Sequence, residues 1–458
     1  MLAKNQVYQV SIIDLNDLGF GVCKIDGMSV FVSDTVTGDE AEIKIIKVAK
    51  TYGIAICTRL ITPSPLRIEG GCSVSGRCGG CVYQKIGYEN ELLLKRKNIE
   101  FAMKKAGVSD ITAGEVLHTG MTEGYRNKAQ YPVGTSQDGK TVIGFYAAKS
   151  HRIISAGDSH CMLQPEIFTE IVRHTAAFCD KYGISAYDEQ TGKGCLRHLY
   201  LRRAEATGEI MICLVINAKV FPHMEDYASS VTAAFPTVVC ICTSKNTQRT
   251  NVIMGESITL VWGKPYIEDI LCGKRFRISP LAFYQVNRSA AELLYNTAKE
   301  MLDLQKGEAL LDLYCGIGTI GLSIASPETH LIGIEIIPEA IEDAKINAKE
   351  NGMAHAHFYA GDASDAQAIL EKKCLQADAV IVDPPRKGLS PAVIDYLGKL
   401  SPSRIVYISC DPDTLARDIV RFRSVGYDTD FVQPVDLFSR TGHCECVTLL
   451  SKKPQIKG

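Results

Sequence analysis

The chain has 458 residues, a formal net charge of −2, 46% apolar and 22% charged residues, and seventeen cysteines. That length is too great for one hydrophobic core, so two or three domains are expected, and the apolar share excludes a disordered or fibrous chain. The balanced charge excludes a global basic field, so a nucleic-acid ligand would have to be held by local patches and by shape.

No apolar run long enough to cross a bilayer is read in the sequence, and the first residues lack the apolar stretch of a secretory signal. The cytoplasm is therefore the expected compartment. There the cysteines point to reduced thiols, a metal or cluster site, or catalysis rather than to disulfides.

Residues 1–60 carry short runs of period-two alternation at 7–13, 21–25, 29–32 and 41–47, punctuated by Gly19, Gly21, Gly27 and Gly38. This pattern predicts a small OB-like β-barrel, a fold that often binds oligonucleotides and can equally be purely structural. Residues 61–270 are expected to form a central α+β domain. It opens on a cysteine-bearing loop, followed by a helix over 88–105 with Lys95, Arg96, Lys97, Lys104 and Lys105. Such a run fits phosphate contacts, although a charge run on a helix is more often a solvated face. Farther on, Tyr125, Arg126, Lys128, Tyr131, His151, Arg152, Arg197 and His198 interleave aromatic and basic side chains. Together they are candidates to stack bases and hold phosphates.

The loop cysteines follow the spacing Cys72-x5-Cys78-x2-Cys81, and Cys161 lies 80 residues farther on. Four thiolates suit zinc or an iron–sulfur cluster, and spacing alone favours zinc slightly as the commoner site.

From about 271 the pattern becomes strand–helix alternation, with strand-like runs at 309–314, 330–335, 356–360, 379–383, 404–409 and 446–450. The fold class is α/β, a doubly wound Rossmann-like sheet with right-handed crossovers. The turn after the first strand contains Gly316-x-Gly318-x-x-Gly321, which lets backbone approach a ligand. Asp312 before the glycines and Glu335 at the end of the next strand favour S-adenosylmethionine over a nicotinamide dinucleotide, because an acid there accepts from ribose hydroxyls. Asp362 and Asp383 end the following two strands, so four successive strands finish on or near an acid. A single acid at such a place can equally be a helix N-cap. Cys410 lies at the end of the next strand, where folds of this kind place their chemistry, though most free cysteines are small buried hydrophobes.

Three segments carry a resemblance. Asp383-Pro384-Pro385-Arg386-Lys387-Gly388, Ser409-Cys410-Asp411-Pro412 and His443-Cys444-Glu445 resemble the RNA uracil-5-methyltransferases, the 23S rRNA 5-methyluridine enzymes especially. Phe283-Tyr284-Gln285-Val286-Asn287 is similar to that family's motif ahead of the fold, and residues 1–60 resemble its TRAM domain. The resemblance spans essentially the whole chain.

It implies a methyl transfer from S-adenosylmethionine to carbon 5 of a uridine in 23S rRNA. Carbon 5 is a poor nucleophile, and a thiolate adding at carbon 6 makes it an enolate carbon. The resemblance assigns Cys410 as that thiolate and Glu445 as the base that removes the carbon 5 proton. It assigns Gln285, Tyr314, Glu335 and Asp383 to the cofactor, with Arg386 positioning the RNA. Cys315, Cys444 and Cys446 are left as packing residues. It also reverses the preference for zinc, implying a [4Fe–4S] cluster on Cys72, Cys78, Cys81 and Cys161. The layout expected is a TRAM-like barrel over 1–60, an RNA-binding central domain over 61–270 and the methyltransferase domain over 271–458, acting as a monomer. The alternatives are the same reaction on tRNA, whose enzymes are expected to lack the barrel and the cysteine set, or an RNA-binding protein that keeps the fold without catalysis. Methylation of a protein or small molecule is disfavoured by the presence of Cys410 with Glu445.

Overall fold

A computed structural model describes residues 2–69, 71–255 and 257–452, and the strand counts below refer to those residues. Three large β-sheets and one two-stranded hairpin, Ile267–Leu271 with Lys274–Ile278, make up the β-structure. The first has six strands, ordered Val7–Ser11, Glu40–Val48, Tyr52–Thr62, Met28–Ser33, Gly21–Ile25 and Asp14–Leu15. Alternation places Val30, Val32, Ile43, Ile45 and Ala55 in its core and leaves the intervening side chains outward. Its exit is fixed by the buried Asp39. That carboxylate takes two hydrogen bonds from Arg67, at 2.8 and 2.6 Å, and one each from the Val36 and Ser64 amides.

The second sheet has seven strands, ordered Ile153–Ser155, Thr141–Tyr146, Lys128–Thr135, Leu196–Arg203, Ile210–Ile216, Val238–Lys245 and Ser257–Gly263. It is antiparallel except where helix Met224–Ala234 returns the chain to pair Ile210–Ile216 with Val238–Lys245 in parallel. One face packs Leu199, Leu201, Ile212 and Leu214 beneath helix Glu166–Tyr182. The other face, with Tyr200, Met211, Cys213, Cys240 and Cys242, shares an apolar core with the third sheet.

That third sheet carries five parallel strands in the order Ala356–Ala360, His330–Glu335, Ala309–Leu313, Ala379–Val382, Arg404–Ser409. Glu445–Lys452 then adds antiparallel, followed by Phe431–Val435 and the short Thr112–Ala113. The parallel strands are covered on both faces, which is why they read as continuous apolar runs. Leu310, Ile381, Val406 and Ile408 meet helix Arg288–Leu302. Leu311, Leu313, Val380, Val382, Ile405 and Tyr407 meet helices Pro391–Leu400 and Pro412–Ser424. Proline opens three of the helices, at 338, 391 and 412, where its missing amide costs nothing. The strand order reverses between Ala309–Leu313 and Ala379–Val382, and ligands of open α/β sheets sit outside that switch point.

The helix expected over 88–105 forms as Tyr88–Lys105, but Lys95 is not on a solvated face. It is buried and bonds Glu91 and Asp436, each at 2.7 Å, and the Phe438 carbonyl. The aromatic–basic cluster expected to meet RNA also divides. Tyr125 and Tyr131 are buried, bonded to the Ser439 carbonyl and to Gln164, and Arg197 is spent on the Asn246 and Gln248 carbonyls. His198 is largely enclosed, and burial, then Arg197, push its imidazole down to about 4. Tyr131 packs in the central core, and the burial of Tyr125 and Arg197 likewise leaves them no face to stack on a base; Arg126, Lys128 and His198 are half-buried, and His151 and Arg152 are exposed.

Candidate active site

The glycine turn leaves strand Ala309–Leu313 through Tyr314, Gly316 and Gly318, all with positive φ, and enters helix Thr319–Ile324. A Cβ on Gly316 would meet nothing within 4 Å, so the turn lies open. Gly321 is required for the opposite reason. A Cβ there would lie 2.6 Å from Asp312 Oδ2, the atom that accepts the Gly321 amide at 2.9 Å. Asp312 thus pins the turn to its strand. Its other oxygen is buried without a partner, and burial pushes the carboxyl up to about 8.

Glu335 ends the next strand and accepts the amides of Gly316 and Ile337, at 3.2 and 3.0 Å. Asp362 proves to be the capping acid of the four, accepting the Ser364 amide and hydroxyl at 2.8 and 2.6 Å. Asp383 follows Ala379–Val382 at the switch point, and burial pushes it up to about 7. Gln285 is buried, and its carbonyl accepts from the Asn127 side chain at 2.8 Å. Asn287 caps helix Arg288–Leu302 and donates to the Leu437 carbonyl at 3.1 Å. Segment 285–287 therefore joins the central sheet, the helix and the loop before Glu445.

Cys410 is half-buried directly after strand Arg404–Ser409. Its turn is closed by a reciprocal pair, Ser409 Oγ to the Asp411 carbonyl at 3.0 Å and the Asp411 amide back to Ser409 Oγ at 3.2 Å. Asp411 also caps the following helix through the Thr414 amide at 2.9 Å. Register decides what faces Cys410. Ser409 pairs with Cys446 in the antiparallel strand, which brings Glu445 alongside the Cys410 turn. Burial, then Glu445 and Asp383, raise the Cys410 thiol to about 11, while Arg386 pulls it down. Burial, then Asp383, push Glu445 up to about 8, again against Arg386. Thiol, two carboxyls and guanidinium thus sit within one another's field. Arg386 reaches His443 at 3.3 Å, and burial, then Arg386, hold that imidazole below its ordinary value. Tyr314 faces elsewhere: burial, then Asp362 and Asp418, raise it. Cys315, Cys444 and Cys446 are buried packing residues.

Arg126 lies over the Phe438 ring, 5.8 Å from its centroid, and Phe438 stands edge-on to His443. Neither this link nor the Lys95 anchor of the 436–440 loop is signalled in the sequence, since the partners are some 310–340 positions apart.

Cys72, Cys78, Cys81 and Cys161 line one cavity with Val74, Phe145, Ile154 and Leu163. Burial, then the neighbouring thiols, push Cys81 up to about 12; burial first raises Cys161 to about 11, and Cys78 and Cys72 add to it. Among the described residues no group of three or more His, Cys, Asp or Glu converges to hold a single metal ion. A separate cavity of about 700 Å³ lies between the barrel and this loop, with Phe20, Asp34, Lys85 and Lys149 in its wall. It lies away from the Cys410 cluster, which is located by its chemistry rather than by volume. No helix among the described residues is long and apolar enough to cross a membrane.

A family profile described as tRNA (Uracil-5-)-methyltransferase matches residues 256–453, and a TRAM domain profile matches 3–57. An RNA methyltransferase of Clostridium tetani is 40% identical over 98% of this chain and 97% of its own length. One of Halalkalibacterium halodurans is 41% identical over 98% of each. The crystal structure of the Pyrococcus abyssi tRNA (uracil-54, C5)-methyltransferase in complex with S-adenosyl-L-homocysteine superposes with a TM-score of 0.79 at 28% identity. It covers 97% of this chain and 100% of its own.

Proposed function

The chain belongs to the RNA uracil-5-methyltransferase family, and from that premise we propose that it methylates carbon 5 of a uridine in 23S rRNA through a covalent adduct on Cys410. The observation that carries this reading is the register that sets Glu445 beside the Cys410 turn, with Asp383 and Arg386 in the same field.

S-adenosylmethionine fits the strand edge, where an open glycine turn, Glu335 and the switch-point Asp383 converge, and it supplies an electrophilic methyl group. Gln285, Tyr314, Glu335 and Asp383 are the residues proposed to hold it. The protein's own residues then move protons. The Cys410 thiol is protonated at neutral pH, so its proton must pass to a carboxylate as sulfur bonds carbon 6. Asp383, at about 7, is ionised enough to take it. The displaced electron pair makes carbon 5 nucleophilic. After carbon 5 is methylated, the ionised fraction of Glu445 removes its proton, the carbon 5–carbon 6 double bond re-forms, the carbon–sulfur bond breaks, and the departing thiolate takes back the proton held on Asp383. Arg386 stabilises the thiolate at both ends of the cycle. One proton is released to solvent per turnover.

The cysteines are proposed to hold a [4Fe–4S] cluster. Four thiols lining one largely apolar cavity suit a thiolate-ligated cluster. Zinc is the alternative occupant. The chain is proposed to act as a monomer, with an RNA-binding barrel over 1–60, an RNA-binding central domain over 61–270 and the methyltransferase domain over 271–458.

A second reading, the same reaction on tRNA, is favoured by one observation. The archaeal tRNA enzyme matches this chain along nearly its full length, so the barrel does not set tRNA-modifying members apart. Mapping 5-methyluridine in rRNA and tRNA from a strain lacking this gene tests both readings. Loss at a 23S uridine is expected; loss in tRNA alone would move the assignment to tRNA, and no loss in either would overturn it.

A further inference from the structure

Lys128 and Arg202 stand directly opposite one another on neighbouring antiparallel strands, and Arg126 lies two residues before Lys128. Directly opposed like charges destabilise a sheet pair. Neither Lys128, Arg126 nor Arg202 has a carboxylate within salt-bridge reach among the described residues. Arg202 is 2% exposed, its Nε is buried without a partner, and its other nitrogens are spent on the Ser279 and Ala282 carbonyls, at 3.3 and 2.9 Å. The Arg126 Nε is likewise buried and unpartnered. Burial, then Arg202 and Arg126, push the Lys128 ammonium down to about 8. Assembling uncompensated charges this way costs the folded state unless an anion arrives to pair with them.

The position of the group says which anion. Arg202 holds the two carbonyls just before Phe283-Tyr284-Gln285, and Asn127, between Arg126 and Lys128, holds the Gln285 and Val286 carbonyls. Toward the Cys410 cluster the cations continue from Arg126 across Phe438 and His443 to Arg386. A row of this extent matches successive charges on a polyanion rather than one small carboxylate. We propose that Lys128, in the field of Arg202 and Arg126, binds a backbone phosphodiester of the RNA beside the nucleotide held at Cys410. This rests on the RNA reading above.

The test is binding of a short fluorescein-labelled oligouridylate by the full chain saturated with S-adenosylhomocysteine, across a potassium chloride series. Lys128→Met is expected to weaken binding about five- to tenfold at low salt and to reduce the log–log salt slope by about 0.7, the increment for one phosphate on a single strand. Lys128→Arg is expected to restore both, and the affinity of either variant for S-adenosylhomocysteine should match the wild type. An unchanged slope in Lys128→Met would overturn the subsite. So would a loss confined to S-adenosylhomocysteine affinity, which would make the cofactor's carboxylate the anion. Either result with RNA binding and 5-methyluridine formation intact in the wild type leaves the RNA reading standing. A wild-type protein that binds no RNA would overturn that reading and the subsite together.

Discussion

Cys410 rests as a thiol, raised to about 11 by burial and by the carboxyls of Glu445 and Asp383. Many nucleophilic cysteines are activated the other way, by cations that lower their pKa. Here one cation, Arg386, opposes three acids, Glu445, Asp383 and Asp411, so the proposed activation of Cys410 comes from proton transfer when the substrate arrives. Asp383 at about 7 and Glu445 at about 8 are suited to that, since both change charge near neutrality. The grouping of these residues was legible in the sequence because each lies in a short motif at a strand boundary, Asp383 and Cys410 just after a strand and Glu445 at the start of one. Their protonation was not. It depends on burial by segments far away in the chain, and the same cause misplaced Tyr125, Tyr131 and Arg197, whose composition suggested RNA contact while their surroundings made them core.

At the scale of elements, helix Tyr88–Lys105 anchors the loop that delivers Glu445. Lys95 bridges Glu91 and Asp436, Tyr88 donates to Asp436 at 2.6 Å, and the Arg440 amide donates to Glu91 at 2.7 Å. Burial pushes the Glu91 carboxyl up despite Lys95; burial also works against the Lys95 charge, but Asp436 and Glu91 outweigh it. Removing one member of a buried ionic set leaves uncompensated charge, at a cost of about 3–5 kcal/mol. Lys95→Met is therefore expected to lower stability by about that amount in equilibrium denaturant unfolding. A loss below about 1 kcal/mol would show the network to be no stronger than a surface pair. The helix was legible in the sequence to its boundaries; its burial was not, because the partner acid lies 341 residues on. The parallel strands of the third sheet were legible as apolar runs, whereas the addition of Thr112–Ala113 to that sheet's edge carries no local signal in two residues.

Across the whole molecule, the three large sheets are tied together by shared cores and loop hydrogen bonds. The central sheet and the third sheet share one apolar core, so Lys128 and Arg202 are fixed against segment 282–286, which is proposed to hold the cofactor. The cysteine loop joins the same frame: the Gly124 and Arg126 amides bond the Met162 and Leu163 carbonyls just after Cys161, at 2.7 and 2.8 Å. A cluster there would stiffen the base on which Arg126 sits. Anaerobically purified protein is expected to contain iron and acid-labile sulfide; zinc without either would replace the cluster with a single-ion site.

Cys410 and Glu445 are proposed to act as nucleophile and base in one covalent cycle. Incubating Glu445→Gln with S-adenosylmethionine and substrate RNA, then denaturing the mixture and resolving it by electrophoresis, tests it most directly. Without the base the methylated adduct cannot lose its carbon 5 proton, so a denaturation-resistant protein–RNA species is predicted, absent when Cys410→Ala is added. Turnover by Glu445→Gln at the wild-type rate, or an adduct that persists without Cys410, would contradict the account.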